Sequence, residues 1–367
     1  MAGNSIGRAF KITSFGESHG NCIGVLVDGC PSGLPLTKIE IEEELSKRIP
    51  DQPKIVSARR EKDTVKISSG VFNDMTTGAP INLTVDNKEV ISKDYDLIKD
   101  KPRPGHSDFP ARVRYGGFND YRGSGRFSGR GTVALIMAGT IAKKLLARLN
   151  IEIFAFTKAI GNVEMKKSVS FKEIRNNRYN TAVRCPDLDS AKIMEESIIN
   201  AKDDGNSLGG IIECVSLNVP VGLGDPVFDS LDSDIAKMIF AIPAVKGVDF
   251  GVGFMSTKLK GSENNDQYAI CDDKIVTTTN NSGGILGGLS SGMPIILSVA
   301  FKPTPSISLN QTTVNMKTMK ETPLKITGRH DPCVVPKAVP VVESSVALVL
   351  VDHLIRAGFL PNVLKES

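Results

Sequence analysis

The sequence carries no block of one charge. Its 45 basic residues are interspersed with 41 acidic ones, for a formal net charge of +4, so it lacks the one-sided arm or stripe that holds nucleic acid. It also lacks an unbroken apolar run long enough to cross a bilayer. The most apolar stretch, within 341–355, is interrupted by Glu343, Ser344, Ser345, Asp352 and His353; it reads as a buried helix, and no membrane partner is expected. The first residues, Met-Ala-Gly-Asn-Ser-Ile-Gly-Arg, lack the basic-then-apolar pattern of a secretory leader, so a cytoplasmic protein is expected. Six cysteines (Cys22, Cys30, Cys185, Cys214, Cys271 and Cys333) include no C-x-x-C pair. That disfavours a zinc site or a disulfide framework, and predicts packed, unreactive thiols.

Low-complexity linkers and sharp shifts of composition are missing too, which makes a single domain over 1–367 the simpler reading. With 40% hydrophobic and 23% charged residues, the chain is an ordinary globular one. Thr37-Lys38-Ile39-Glu40 is a capping box that opens a helix carrying Ile41 and Leu45 and stopping before Pro50. Further helices are predicted over 132–149, 189–202, 232–242 and 341–357. Strands are predicted over 23–27, 64–68, 81–85, 211–219, 251–259 and 294–301, where β-branched residues alternate between turn formers. Several strands follow one another without helices, which favours an α+β fold with mostly antiparallel sheets over strict βαβ alternation.

Only four histidines occur: His19, His106, His330 and His353. His19 lies in Gly-Glu-Ser-His-Gly and His106 in Arg103-Pro104-Gly105-His106-Ser107-Asp108, settings where backbone can approach a ligand and an imidazole can move a proton. A turn histidine bonded to a carbonyl is the plain alternative, and His353, on the apolar helix, reads as structural. Gly16-Glu17-Ser18-His19-Gly20 also matches the G-x-S-x-G nucleophile elbow of serine hydrolases, with Asp331 and His353 downstream in triad order. An elbow must lead from strand to helix, however, and residues 21–29 read as strand.

Arg122-Gly123-Ser124-Gly125-Arg126-Phe127-Ser128-Gly129-Arg130-Gly131 runs directly into a predicted helix. Free amides at the helix start, small residues and guanidinium groups together make an anion site. Glycine-rich 281–292 followed by Lys302-Pro303-Thr304-Pro305-Ser306 is a second set, and Gly328-Arg329-His330-Asp331-Pro332 a third. Solvated surface charge and flexible turns are the bland readings of such clusters.

The segments GNSIGRAFKITSFGESHG, RPGHSD, GGILGGLSSG, KPTPSI and GRHDPCVVPKAVPVVES occur in this order and, over nearly the whole chain, resemble the signatures of the chorismate synthase family. The resemblance implies a single α+β domain, a β-α-β sandwich of antiparallel sheets and helices, assembled as a homotetramer. It implies a 1,4-elimination of phosphate from 5-enolpyruvylshikimate 3-phosphate that requires reduced FMN without net redox change, with NADPH as the ultimate reductant, directly or through a separate reductase. His19 is then expected to protonate the departing phosphate, His106 to serve the reduced flavin, and Asp331 to assist proton abstraction. For FMN the resemblance points to Arg126, Phe127, Ser128, Pro243, Ala244, Gly287, Lys302, Pro303, Thr304, Pro305, Ser306 and Arg329. Arg48, Lys54, Arg60 and Arg130 are expected at substrate or NADPH anions, with Lys54 standing where the family usually has arginine. A second departure is Gly125-Arg126-Phe127-Ser128-Gly129-Arg130-Gly131-Thr132 in place of G-R-S-S-A-R-E-T. Phe127 cannot donate a serine's hydrogen bond and would meet a flavin only by packing. A flavin electron carrier is the non-enzymatic alternative, and it would need the parallel sheet of a flavodoxin.

Overall fold

The computed structural model describes residues 3–50, 55, 63–88, 95, 99–326 and 330–365. Two five-stranded sheets form its outer layers. The first contains β1 (Ser5–Ile6), β2 (Lys11–Gly16), β3 (Cys22–Asp28), β4 (Val65–Ser69) and β5 (Ile81–Asp86), in the order β1-β2-β3-β5-β4. The second contains β6 (Glu152–Ile160), β7 (Val163–Glu164), β8 (Gly210–Leu217), β9 (Val245–Phe250) and β10 (Ile295–Phe301), in the order β9-β10-β8-β6-β7. Every pairing in both sheets is antiparallel. This is the expected α+β layering, and it removes the flavodoxin-like reading.

The longer helices among the described residues are α1 (Lys38–Ser46), α2 (Asp108–Arg114), α3 (Thr132–Ala147), α4 (Phe171–Asn177), α5 (Leu188–Asp203), α6 (Leu231–Phe240) and α7 (Val335–Arg356). The box at Thr37 and Glu40 forms as predicted, with both reciprocal bonds made and Ile41 and Leu45 buried. Helix α3 packs on the first sheet, α7 on the second, and the two helices pack on each other, so the layers read sheet, helices, sheet. Gly139 is what lets them approach: a Cβ there would lie 2.3 Å from the Cβ of Ser344. By length and composition α7 could cross a membrane, yet 94% of its apolar window is buried between α3 and the second sheet, which makes it a core helix.

Two predicted bounds were wrong. The strand expected over 251–259 lies earlier, as β9, and the 3₁₀ helix Gly253–Lys258 follows it. Gly251 and Gly253 adopt φ of 60° and 52°, and a Cβ on Gly251 would sit 2.0 Å from the carbonyl oxygen of Asn281, so the chain turns there. Helix α7 begins at Val335 rather than Val341, because Pro336 occupies the first turn, where the missing amide costs nothing, and the helix tolerates Pro340 one turn on. Strand β6, buried on most of its length, has no alternation to announce it.

The polar residues that interrupt the apolar run of α7 are mostly answered by partners. Asp352 Oδ1 accepts the amides of Arg8, Ala9 and Phe10 at 2.7–2.8 Å. His353 Nε2 meets Asp234 Oδ2 at 2.9 Å, which supports its structural reading. Glu343, 1% exposed, accepts from Lys143 Nζ at 2.9 Å, the Ala155 amide at 2.9 Å and Arg178 Nε at 3.3 Å. Lys143 also reaches Glu44 at 3.0 Å, joining α1, α3, α7 and β6 in one ionic core. The cysteines are all free; Cys30, Cys185, Cys214 and Cys333 are buried as expected, whereas Cys271 is exposed in a hairpin. Burial pushes the thiols of Cys30 and Cys333 up to about 12.

Burial works against ionisation of Glu44, but Lys143 and Lys47 outweigh it and bring its pKa from 4.5 down to about 2. A carboxylate depressed by folding contributes stability that is complete above its unfolded value and is lost as pH falls through the folded one. Denaturant unfolding of the wild-type protein should therefore weaken progressively from about pH 4.5 to about pH 2. Glu44→Gln should flatten that slope by an amount of order 3 kcal/mol; an identical slope in the variant would refute the assignment.

Candidate active site

Three loops meet at one edge of the first sheet. The GESHG segment is the turn of the β2–β3 hairpin, entered through Gly16 at φ 89°. A strand follows the serine, as read from the sequence, so the strand-to-helix context of a hydrolase elbow is absent. The other triad candidates are engaged elsewhere, Asp331 with Lys337 at 2.6 Å and the buried His353 with Asp234. Asn87, just past β5, clamps the turn by donating to the carbonyls of Glu17 and Gly20, both at 2.9 Å.

The second loop, Gly123-Ser124-Gly125, holds φ of 54°, 72° and 51°. It seats against the first: the Ser18 amide donates to the Gly125 carbonyl at 3.3 Å, and a Cβ on Gly123 would lie 2.1 Å from the ring of His19. His19 also meets Ser18 Oγ at 3.3 Å and the Tyr95 ring edge-on at 5.2 Å. Arg126 anchors the loop by reaching back to β2, donating to the carbonyls of Gly16 and Ser14 and to Ser14 Oγ. Arg130 is buried and paired with Asp63 at 2.6 Å, and its Nε donates to Asn87. Both arginines thus help hold these loops, while Nη2 of Arg130 is left without a hydrogen-bond partner among the described residues. Ser128 caps the turn into α3 through the Arg130 amide. A Cβ on Gly129 or Gly131 would meet nothing within 4 Å, so there is open space beside this turn, although the amides of Arg130, Gly131 and Thr132 are already bonded within it.

The third loop is RPGHSD, leading into α2. Arg103, 6% exposed, makes a two-pronged bond to Asp108, Nε to Oδ2 and Nη2 to Oδ1, both at 2.8 Å. It donates further to Ser306 Oγ at 3.1 Å and to Ser124 Oγ at 2.9 Å. Ser124 is a non-glycine residue in the left-handed region, a conformation costing on the order of 1 kcal/mol, and the bond from Arg103 holds it there. His106 Nδ1 lies 2.7 Å from Asp108 Oδ1. Burial would raise the Asp108 pKa, but the hydrogen bonds from Arg103 and His106 hold it far below the usual carboxylate range. These contacts border a small, open cleft whose wall includes Tyr95, Lys99, Arg103, Asp108, Arg112 and Phe127. Phe127 is 39% exposed and packs against Tyr115, with ring centroids 6.5 Å apart.

Residues 302–306 bring a fourth loop to this edge. Lys302 Nζ donates to the Gly105 carbonyl, its amide bonds to the Ala244 carbonyl at 2.9 Å, and Thr304 Oγ1 donates to the Asp331 carbonyl at 2.7 Å. Pro243, Ala244, Lys302, Pro303, Thr304, Pro305, Ser306 and Asp331 therefore form one connected group. Gly287 is separate: its neighbour Gly288 receives the amide of Leu231 at the start of α6, whereas Ala244 follows the end of that helix, about 15 Å away. Arg48 lies just beyond α1, half-buried. Lys54, Arg60 and Arg329 lie outside the described residues. Arg103, Asp108 and Ser124 stand inside motifs that the sequence singles out, without a role of their own there, and Asn87 lies outside them; the pairing that joins Arg103 to Ser124 and Ser306 is long-range.

The family model for chorismate synthase matches residues 10–355. A chorismate synthase of Dehalococcoides mccartyi is 53% identical over 363 residues, 99% of this chain and 100% of that protein. One of Korarchaeum cryptofilum is 49% identical over 357 residues, covering 97% and 99%. A crystal structure of chorismate synthase superposes with a TM-score of 0.75 at 29% identity, covering 96% of this chain and 93% of that one. The fold and these matches define an enzyme of the lyase class. The chain belongs to the chorismate synthase family.

Gly123 yields a prediction of its own. Gly123→Ala would force a methyl into the His19 ring and strain a φ of 54°, so turnover should fall at least about tenfold, with an unfolding temperature lowered by only a few degrees. A variant of undiminished rate would show that His19 does not act from this position.

Proposed function

We propose that the chain catalyses the 1,4-elimination of phosphate from 5-enolpyruvylshikimate 3-phosphate to give chorismate. The observation that carries this reading is the convergence of the GESHG, RGSG and RPGHSD loops, in which His19 and the His106 network meet the adjacent residues Gly123 and Ser124 beside a cleft lined by charged side chains. In the elimination a ring C–H bond and the C–O bond to phosphate break, a carbon–carbon double bond forms, and the hydrogen leaves as a proton. His19 would deliver a proton to the departing phosphate. Lys99 and Arg112 on the cleft wall would meet the carboxylates and phosphate of the substrate, while Arg103 is already paired with Asp108.

The residues fit an FMN: the space beside Gly129 and Gly131 leaves room for its phosphate, Lys302 adds charge, and Phe127 with Tyr115 offers an apolar wall. Ser128, Ala244 and residues 302–306 would hold it, with Asp331 alongside. Reduced FMN, when bound, would supply electron density as the C–O bond breaks and recover it as the double bond forms. His106 would hold a proton at that group.

The same reading makes the protein a cytoplasmic homotetramer in aromatic amino acid biosynthesis. Exposed Phe254, Met255, Tyr268, Ile270 and Ile275 support the assembly, since burying such side chains between protomers is favourable. The test of the function is dependence on the flavin: phosphate release should cease when reduced FMN is withheld or replaced by its oxidised form, and release at an undiminished rate would overturn the reading.

A further inference from the structure

His106 lies between two groups of opposite charge. On one side is the carboxylate of Asp108, 2.7 Å from Nδ1. On the other is Arg103 Nη2, 3.2 Å from Nδ1 and 3.4 Å from Nε2. The two hydrogens of that Nη2 have better acceptors, Asp108 Oδ1 at 2.8 Å and Ser124 Oγ at 2.9 Å. An ionised carboxylate only accepts, and an unprotonated Nδ1 also only accepts. The two cannot face each other across 2.7 Å without a proton between them, and Asp108 is held ionised by Arg103.

We propose that Asp108 is the positioning residue that fixes the His106 proton on Nδ1 and leaves Nε2 as the nitrogen that exchanges protons in the reaction. It also offsets the charge of Arg103, which would otherwise disfavour an imidazolium beside it. Further neighbours of this loop among the described residues include Ser124, Ser306 and Pro305, which are neutral, and Lys302, whose Nζ is bound to the Gly105 carbonyl. The inference rests on the reading of His106 as a proton-handling group, but the arrangement itself can be tested without turnover.

Four histidines make the test tractable. In protein labelled with nitrogen-15 at histidine only, the His106 imidazole is identified by its loss in His106→Gln, and long-range proton–nitrogen correlations report its tautomer. Wild type should show the proton on Nδ1 when the ring is neutral. In Asp108→Asn the tautomer should shift toward Nε2. Asp108→Glu, which keeps the carboxylate, should restore much of the Nδ1 form. A wild-type ring protonated on Nε2, or His106 signals unmoved in Asp108→Asn, would overturn the proposal whatever the turnover. Signals that move while the pH profile of turnover stays fixed would uphold the positioning and remove the catalytic role of His106 instead. Should Asp108→Asn fail to fold, the wild-type tautomer alone decides.

Discussion

His106→Ala and His19→Ala should each lower the rate of phosphate release by about 10²- to 10⁴-fold at saturating reduced flavin, the range lost with a general acid or base. Neither should unfold the protein. Removing the imidazole of His106 leaves both prongs of the Arg103–Asp108 bond and the bonds from Arg103 to Ser124 and Ser306 in place. Removing that of His19 leaves its loop tied by the Gly125 carbonyl, by Asn87 and by Arg126. The pair of measurements that decides is the initial rate and the unfolding temperature of each variant. Full turnover in a stable variant would return that histidine to a structural turn.

The largest effect on stability is expected at Glu343, far from the cleft. Its carboxylate is fully enclosed and answers Lys143, Arg178 and the Ala155 amide. Glu343→Ala leaves those donors buried without it, which should cost about 3–5 kcal/mol, seen as a lower denaturant midpoint at an unchanged slope. Exposed pairs such as Lys66 with Asp86, at 61% and 43% side-chain exposure, should contribute about 0–1 kcal/mol by contrast. Adding Lys143→Met to Glu343→Leu should recover part of the loss, because an apolar pair requires no compensation for buried charge. A loss below about 1 kcal/mol for Glu343→Ala would contradict this account of the ionic core.

Local signals in the sequence carried most of the fold. The capping box at Thr37 fixed where α1 begins, and strand character after Ser18 was enough to disfavour a hydrolase elbow. Signals that depend on distant partners were not legible. Gly251 reads as part of a strand until the carbonyl of Asn281 is seen to occupy the space its Cβ would need. Glu343 reads as an interruption in an apolar helix, and only the sandwich supplies Lys143 from α3 and the amide of Ala155 from β6. The site divides in the same way. His19 and His106 stood out because they are rare and bounded by glycine, and Asp108 stood two positions from His106. That Arg103 unites Asp108 with Ser124 and Ser306 could not be read from spacing, since those bonds join loops that the two sheets bring together. Arg126 and Arg130, expected at ligand anions, also hold this loop through Ser14, Gly16 and Asp63, partners that lie far away in sequence and that the motif itself does not announce.

Product identity under anaerobic conditions tests the central claim most directly. Incubated with 5-enolpyruvylshikimate 3-phosphate and a catalytic quantity of reduced FMN, the wild-type chain should release chorismate and phosphate in equal amounts, over many turnovers per flavin, with the flavin still reduced at the end. Phosphate accompanied by the dephosphorylated substrate in place of chorismate would contradict the account, because it would mark a hydrolysis.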